Sequence, residues 1–141
     1  MESESKMESN LNGPTDIKIT TPIILAVVGW RYFKDYKRFK EEMDVWIVEN
    51  ETPTTLISGG CIGADRMAEK YAKDKGFGIV ILLSDFKRHP GNTAYAVRDR
   101  EIAKTCTHML AFPNLKKGKG TQLTIGFAKR FGKKIKIMNV E

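Results

Sequence analysis

Five short apolar runs alternate with stretches whose apolar residues recur every three or four positions, a rhythm that predicts strands alternating with helices. Pro22 introduces Ile23-Ile24-Leu25-Ala26-Val27-Val28, a continuous apolar run of the kind buried on both faces in a parallel sheet. From Asp35, a residue suited to capping, Tyr36, Phe39, Met43, Trp46 and Ile47 share one helical face. Pro53 marks the next loop, and Thr55 to Ser58 form the second predicted strand. A second helix, roughly Ala64 to Asp74, aligns Ala64, Met67, Ala68, Tyr71 and Ala72, and Gly76 ends it. Gly78-Ile79-Val80-Ile81-Leu82-Leu83 reads as a third buried strand. A polar loop with Pro90 and Gly91 leads to a third helix, from about Ala94 to Lys104. His108 to Phe112 is the fourth strand and Gly120 to Arg130 the fourth helix, which Gly132 stops. Alternation in Lys134-Ile135-Lys136-Ile137-Met138 places the fifth strand at a sheet edge.

Such alternation implies an α/β fold: a doubly wound, mainly parallel five-stranded sheet with helices on both faces. Residues 1–20, rich in Ser, Glu, Asn and Thr, read as a flexible tail, and residues 21–141 as a single domain. In a doubly wound sheet, ligands bind outside the carboxyl ends of the strands, where strand order reverses. Gly29, Ser58, Asp85 and Phe112 all fall at such ends and are expected to line one crevice.

A chain of 141 residues is long enough to bury a core without disulfides, and its two cysteines, Cys61 and Cys106, are too few for a disulfide framework. No run of 18 or more apolar residues is present, and the polar, acid-bearing start does not resemble a secretory signal. The expectation is a cytoplasmic protein with no membrane partner, assembled as a homo-oligomer. The formal charge of +7 is unevenly placed. Lys116, Lys117, Lys119, Lys129, Arg130, Lys133, Lys134 and Lys136 follow one another without an acid, while the rest of the chain holds 16 basic and 17 acidic residues. This segment is either a footprint for a polyanion or a solvated, lysine-rich surface. Only Phe127 and Phe131 interleave it, so weak, non-specific nucleic-acid binding is the most it predicts.

Two glycine turns stand where a strand hands over to a helix. The first is Ser58-Gly59-Gly60-Cys61-Ile62-Gly63-Ala64-Asp65 and the second Gly118-Lys119-Gly120-Thr121. Glycines admit tight turns and close approach to the main chain, and the helix start beyond each offers free N–H groups. The second turn carries a lysine, a threonine hydroxyl and no acid, which suits phosphate, although it is not a Walker motif. Thr121 and Thr124 are alternatively helix caps. The first turn carries Asp65, which repels phosphate and either complements the helix dipole or holds ribose hydroxyls. Asp65 and Glu69, four residues apart, are the candidate catalytic acids for an N-glycosidic bond, and Lys73 offers Glu69 an ordinary surface pairing instead. Cys61 reads as small filler. At the first strand's end, Gly29-Trp30-Arg31-Tyr32-Phe33 sets an arginine among rings, either for a phosphate and a base or for local packing. His89 and His108 are isolated, so neither a metal nor another cofactor is expected.

The ordered set Gly29-x-Arg31-x-Phe33-x-Asp35-Tyr36, Ser58-Gly59-Gly60-x-x-Gly63-Ala64-Asp65, Asp85, Gly91, Arg98 and Gly118-x-Gly120-Thr121-x-x-Thr124-Ile125 resembles the YspA-like family. That family belongs to the SLOG superfamily, which includes DprA and the LOG phosphoribohydrolases. The resemblance covers about residues 22–139 and implies a Rossmann-like domain for nucleotides or nucleotide-derived signals, often in conflicts between viruses and bacteria. It implies a pocket of Gly29, Arg31, Ser58, Gly59, Gly60, Asp65, Asp85, Arg98, Gly118, Gly120 and Thr121, to which position adds Trp30 and Lys119. Trp30, Tyr95 and Asp99 depart from the family's usual Ser, Gly and Asn, and Thr124 stands where LOG enzymes carry a catalytic glutamate. The expected function is therefore binding of a small nucleotide-derived ligand, by a sensor or by a viral sequestering protein. A nucleotide N-glycoside hydrolase and a DprA-like nucleic-acid binder are the alternatives.

Overall fold

Among the described residues, nine elements alternate as the periodicity predicts. The computed structural model describes residues 21–141, and the expected tail lies outside the described residues. The elements are β1 (Ile24–Gly29), α1 (Tyr36–Asn50), β2 (Thr55–Ser58), α2 (Ala64–Lys75), β3 (Gly78–Ile81), α3 (Asn92–Thr105), β4 (His108–Phe112), α4 (Gly120–Arg130) and β5 (Lys134–Ile137). Among the described residues all strand pairs are parallel and the order is β3-β2-β1-β4-β5, so the fold class read from the sequence holds.

The register makes β1 the centre, with Ala26 level with Ile57 of β2 and Met109 of β4. Strand side chains point alternately to the two faces. Leu25 and Val27 join Phe39, Met43, Trp46, Met67 and Tyr71 in a core under α1 and α2. Ala26 and Val28 join Ile57, Ile102, Met109 and Ile125 in a second core under α3 and α4. Aromatic rings tie the first core to the top of the sheet: Phe112 lies 5.2 Å from both Phe33 and Phe39, centroid to centroid. Local signals act where expected. The Asp35 carboxylate accepts from Arg38 N–H at 3.0 Å and caps α1, and Gly76 ends α2 at φ +78°.

The third strand departs from the prediction. It is not buried: Ile79, Val80 and Ile81 are 38%, 43% and 43% exposed. An apolar run has the same pattern in the middle of a sheet and at its rim, and only strand order separates the two. Among the described residues β3 pairs with β2 alone and is the outermost strand, opposite the β5 edge that the lysine alternation did reveal.

Gly29 carries a packing constraint that positions the site. A β-carbon there would lie 2.6 Å from the Ala64 Cβ and 3.0 Å from the Phe112 Cβ, so its absence lets α2 start directly against the β1–β4 seam. Gly29→Ala is expected to destabilise the chain by about 1–3 kcal/mol, the usual cost of overpacking, read as a lower midpoint in urea unfolding. An unchanged midpoint would mean that α2 can shift off the seam without loss.

Candidate functional site

Strand order reverses between β1 and β4: β2 and β3 extend to one side, β5 to the other. Trp30 N–H donates to the Phe112 carbonyl at 2.9 Å, prolonging the β1–β4 pairing past the strand end. Its half-buried indole leans over Gly118, where a β-carbon would come within 3.0 Å of Trp30 Cδ1. The approach to Gly118 is shaped by Asn114, which is buried at 3% exposure. Its side-chain oxygen accepts from Lys116 and Lys117 N–H, both at 3.0 Å, while its carbonyl accepts from Gly118 N–H at 3.0 Å. Asn139 fixes the outside of this loop by accepting from Leu115 N–H at 2.9 Å. The sequence reading missed Asn114, although an asparagine two residues before a lysine pair in a loop is the signal for such a side-chain turn.

Beyond the loop, α4 starts with no side-chain cap. Among the described residues, no acceptor lies on the N–H groups of Lys119, Gly120, Thr121 or Gln122. These are the orphan donors of a helix start, and they carry its partial positive charge. The Gly120 position is open: a β-carbon added there would have nothing within 4 Å. Thr124 is neither a cap nor exposed to the opening. It is 3% exposed and its hydroxyl donates back to the Gly120 carbonyl at 3.4 Å.

The first glycine turn is built differently: α2 also starts without a side-chain cap, but Asp65 puts a carboxylate in the helix's first turn and two N–H groups of the preceding loop are engaged. Gly60 N–H donates to Ser58 Oγ at 3.0 Å, and Asp65 Oδ2 accepts from Cys61 N–H at 3.1 Å. Ser58 Oγ in turn donates to Glu69 Oε2 at 3.2 Å, so Glu69 serves the turn. Arg98 closes the assembly from α3. Its Nη1 donates to the Gly59 carbonyl at 2.6 Å, its Nε pairs with Asp99 at 2.7 Å, and its Nη2 lies 3.7 Å from Cys61 Sγ. Gly59 has no room for a side chain, since a β-carbon would meet Arg98 Nη1 at 2.7 Å. Burial pushes the Asp65 carboxyl up to about 6, against the opposing pull of the Cys61 N–H and the Arg98 charge.

The two turns meet through the Trp30–Arg31 loop. Gly63, at φ +83°, brings α2 so close that a β-carbon would lie 2.7 Å from the Trp30 and Arg31 carbonyl oxygens. Trp30 thus stands between Gly63 on one side and Gly118 on the other. Arg31 is exposed, its guanidinium 5.4 Å from the Tyr32 ring centre, and Gly29 lies behind the wall, covered by Ala64 and Phe112. Asp85 is elsewhere. It accepts from Lys87 and Arg88 N–H at 3.1 Å each, and with Arg98, Leu83, His89 and Val97 it lines a separate cavity of about 190 Å³. The ends of β3 and β4 are three strand spacings apart, roughly 14 Å at the usual separation. The structure therefore gathers Trp30, Arg31, the Ser58–Asp65 turn and Gly118–Thr121, and leaves Asp85 at the margin with Arg98 as the bridge.

The basic segment is divided rather than continuous. Lys116, Lys117 and Lys119 lie at the carboxyl ends of the strands, and Lys129 to Lys134 at the opposite end of α4, about 16 Å away for a helix of this length. Lys116 pairs with Glu141, Lys136 with Glu49, and Lys133 Nζ donates to the carbonyls of Lys104 and Cys106 at the end of α3. Among the described residues, no three His, Cys, Asp or Glu side chains gather as metal ligands, and no helix is long and apolar enough to cross a membrane.

Comparison with known proteins agrees with this architecture. Residues 23–89 match the family described as "YAcAr: YspA, cpYpsA-related SLOG family", which bears out the resemblance read from the motifs. Among solved structures, the chain is similar to DNA processing protein A (DprA) from Streptococcus pneumoniae, a SLOG member. The TM-score is 0.66 and the identity 19%, with 85% of this chain and 51% of that one covered. The chain thus spans about half the length of that relative. No curated protein matches it by sequence.

The buried Asp65 makes stability depend on pH. Its carboxyl binds a proton more tightly folded, at about 6, than unfolded, near 3.8, so the contribution of this group to stability is full below the unfolded value and is lost as pH rises through 6. Two pKa units correspond to roughly 3 kcal/mol. Asp65→Asn keeps an oxygen for Cys61 N–H, and is expected to flatten the pH 4–6 slope and to raise stability at pH 7–8 by about 1–3 kcal/mol. Urea unfolding across that range is the measurement. A variant less stable than the parent at pH 7–8 would show that Arg98 compensates the buried charge.

Proposed function

We propose that the crevice at the β1–β4 reversal binds a small nucleotide or nucleotide-derived ligand. Its phosphate rests on the Gly118–Thr121 turn, and its sugar or base lies toward the Ser58–Asp65 turn. One contrast carries this reading: the N–H groups at the start of α4 have no acceptor among the described residues and no acid in the helix's first turn, whereas the start of α2, also without a side-chain cap, carries the Asp65 carboxylate, and the Gly60 and Cys61 N–H groups before it are taken by Ser58 and Asp65. An anion is thus favoured at the second turn and opposed at the first, where a carboxylate already sits. Trp30, between the two, offers a ring for stacking, and Lys119 an exposed charge beside the phosphate. The SLOG match and the DprA-like fold support a nucleotide-related or nucleic-acid-binding role in general terms. A ligand-bound sensor, or a sequestering protein if the source is viral, fits a crevice of this kind.

The hydrolase alternative has less geometry behind it. Asp65 and Glu69 are both tied to the turn that they build, and Thr124 is buried away from the opening. The nucleic-acid alternative rests on a basic segment whose charges are split between two ends of the domain and partly paired.

Gly120→Asp tests the phosphate seat without threatening the fold, because the position is open and its φ is not in the left-handed region. AMP and ADP-ribose are suitable probes in a thermal-shift assay, where a ligand at 100 times its Kd adds about 2.7 kcal/mol of stability. The expected outcome is a ligand-induced shift in the parent, its loss in Gly120→Asp, and a partial loss in Lys119→Ala. A variant that folds normally and keeps the full shift would place the phosphate elsewhere, and a parent that neither probe stabilises would count against this ligand class.

Nucleic acid is expected to bind only weakly. Each phosphate contact should contribute about 0.7–0.9 to the slope of log affinity against log salt, and a shallow slope is expected here. Tight binding of a short single strand at physiological salt, measured by fluorescence anisotropy, would favour the DprA-like alternative.

A further inference from the structure

We propose that β3 is a self-association edge, where a second copy of this chain pairs antiparallel with the first and continues the sheet. β3 is bonded to β2 alone, so the outward backbone groups of Gly78-Ile79-Val80-Ile81 have no strand partner among the described residues. A row of unpaired N–H and C=O groups is a template for another strand. The side chains on this edge are exposed and apolar, and Leu83 and Val97, which line one cavity, and Phe86 and Tyr95 are further exposed apolar residues after it, at 70%, 43%, 53% and 46% exposure. Phe86 and Tyr95 meet edge to face at 5.2 Å, so these rings form one patch. No charged residue interrupts the chain between Lys75 and Asp85. The other rim is different. β5 alternates Lys134 and Lys136, the ordinary protection of an edge strand against pairing. One edge is guarded by charge and the other is not.

Charge distribution identifies the occupant as a second copy. A net charge of +7 opposes self-association, but eight basic residues lie within 116–136, on the β5 side, and the remainder of the chain is nearly neutral. Pairing β3 with β3 puts both β5 edges at the far ends of a ten-stranded sheet, roughly 43 Å apart at the usual strand spacing and several Debye lengths at physiological salt. Pairing through β5 or α4 would instead bring the two basic segments together. A two-fold axis across antiparallel strands sets each patch against its own copy, and an uncharged apolar strand is complementary to itself. Self-pairing at this edge does not depend on the ligand reading.

Sedimentation velocity of the full chain across a concentration series tests it. The expected mass is twice the 16.0 kDa of one chain, and the double variant Val80→Lys/Leu83→Lys, which copies the protection found on β5, is expected to halve it with circular dichroism unchanged. A parent that stays monomeric overturns the proposal, and so does a variant that remains dimeric. Should the variant fail to fold, amide hydrogen exchange on the parent decides. β3 amides that face away from β2 should exchange more slowly as concentration rises. Protection that is independent of concentration in a monomer would assign the edge to residues 1–20 of the same chain and overturn self-pairing.

Discussion

Close approach at three glycines holds the crevice in shape. Without a β-carbon at Gly29, α2 begins against the β1–β4 seam. At Gly63 the same helix start meets the Trp30 and Arg31 carbonyls, and at Gly118 the second turn meets the Trp30 ring. Each contact leaves less room than a methyl group requires, and packed interiors do not absorb such an intrusion without moving their neighbours. The three loops at the carboxyl ends of β1, β2 and β4 are therefore fixed relative to one another by close contacts made at glycine backbone. That matters for a site whose main donors are backbone N–H groups, because their positions are set by the path of the chain and by no rotamer.

The electrostatic division between the two turns follows from one residue. Asp65 sits in the first turn of α2, where the helix dipole favours a carboxylate, yet burial raises its proton affinity to the point where about pH 6 separates its two states. It accepts the Cys61 N–H and sets a negative charge at the start of α2, so an anion is opposed there. The second turn has nothing comparable: its cap is Lys119, whose side chain makes no capping bond. Two motifs that look alike as glycine-rich strand-to-helix turns thus differ in what they leave available. A carboxylate held at some cost in stability beside an arginine is also the kind of local compromise found at functional positions.

Much of this is legible in the chain. Apolar periodicity reveals the alternation of elements, Asp35 and Gly76 mark helix ends through chemistry that acts within a few residues, and the lysine alternation in β5 identifies one rim. What is not legible depends on residues distant in sequence. The run from Gly78 to Leu83 carries no mark of whether another strand lies beyond it, and its place at the rim is decided by strand order. Spacing offers Glu69 a partner in Lys73 one helical turn away, but the Ser58 hydroxyl, 11 residues earlier, lies within reach of it across the helix–strand contact. Arg98 enters the pocket through family resemblance alone, and its bond to the Gly59 carbonyl spans 39 residues. Asn114 escapes notice although its signal is local, because its two bonds to following N–H groups matter only once the loop is known to lead into the second turn.

The same strand order bears on how a crevice and an edge coexist. The reversal lies over the centre of the sheet at the carboxyl ends, whereas β3 and β5 face sideways, so a partner on either rim leaves the opening uncovered. The β3 rim is nevertheless close to the first turn. A β-carbon at Gly60, itself at φ +73°, would meet Leu83 Cδ2 at 2.8 Å and Ile81 Cγ2 at 3.0 Å. Whatever orders Ile81 and Leu83 therefore bears directly on Gly60, whose N–H is held by Ser58 and, through Ser58, by Glu69. A strand added at β3 would restrain the turn that contains Asp65 while leaving the α4 helix start untouched. The half of the crevice assigned to sugar or base would then respond to assembly, and the half assigned to phosphate would not.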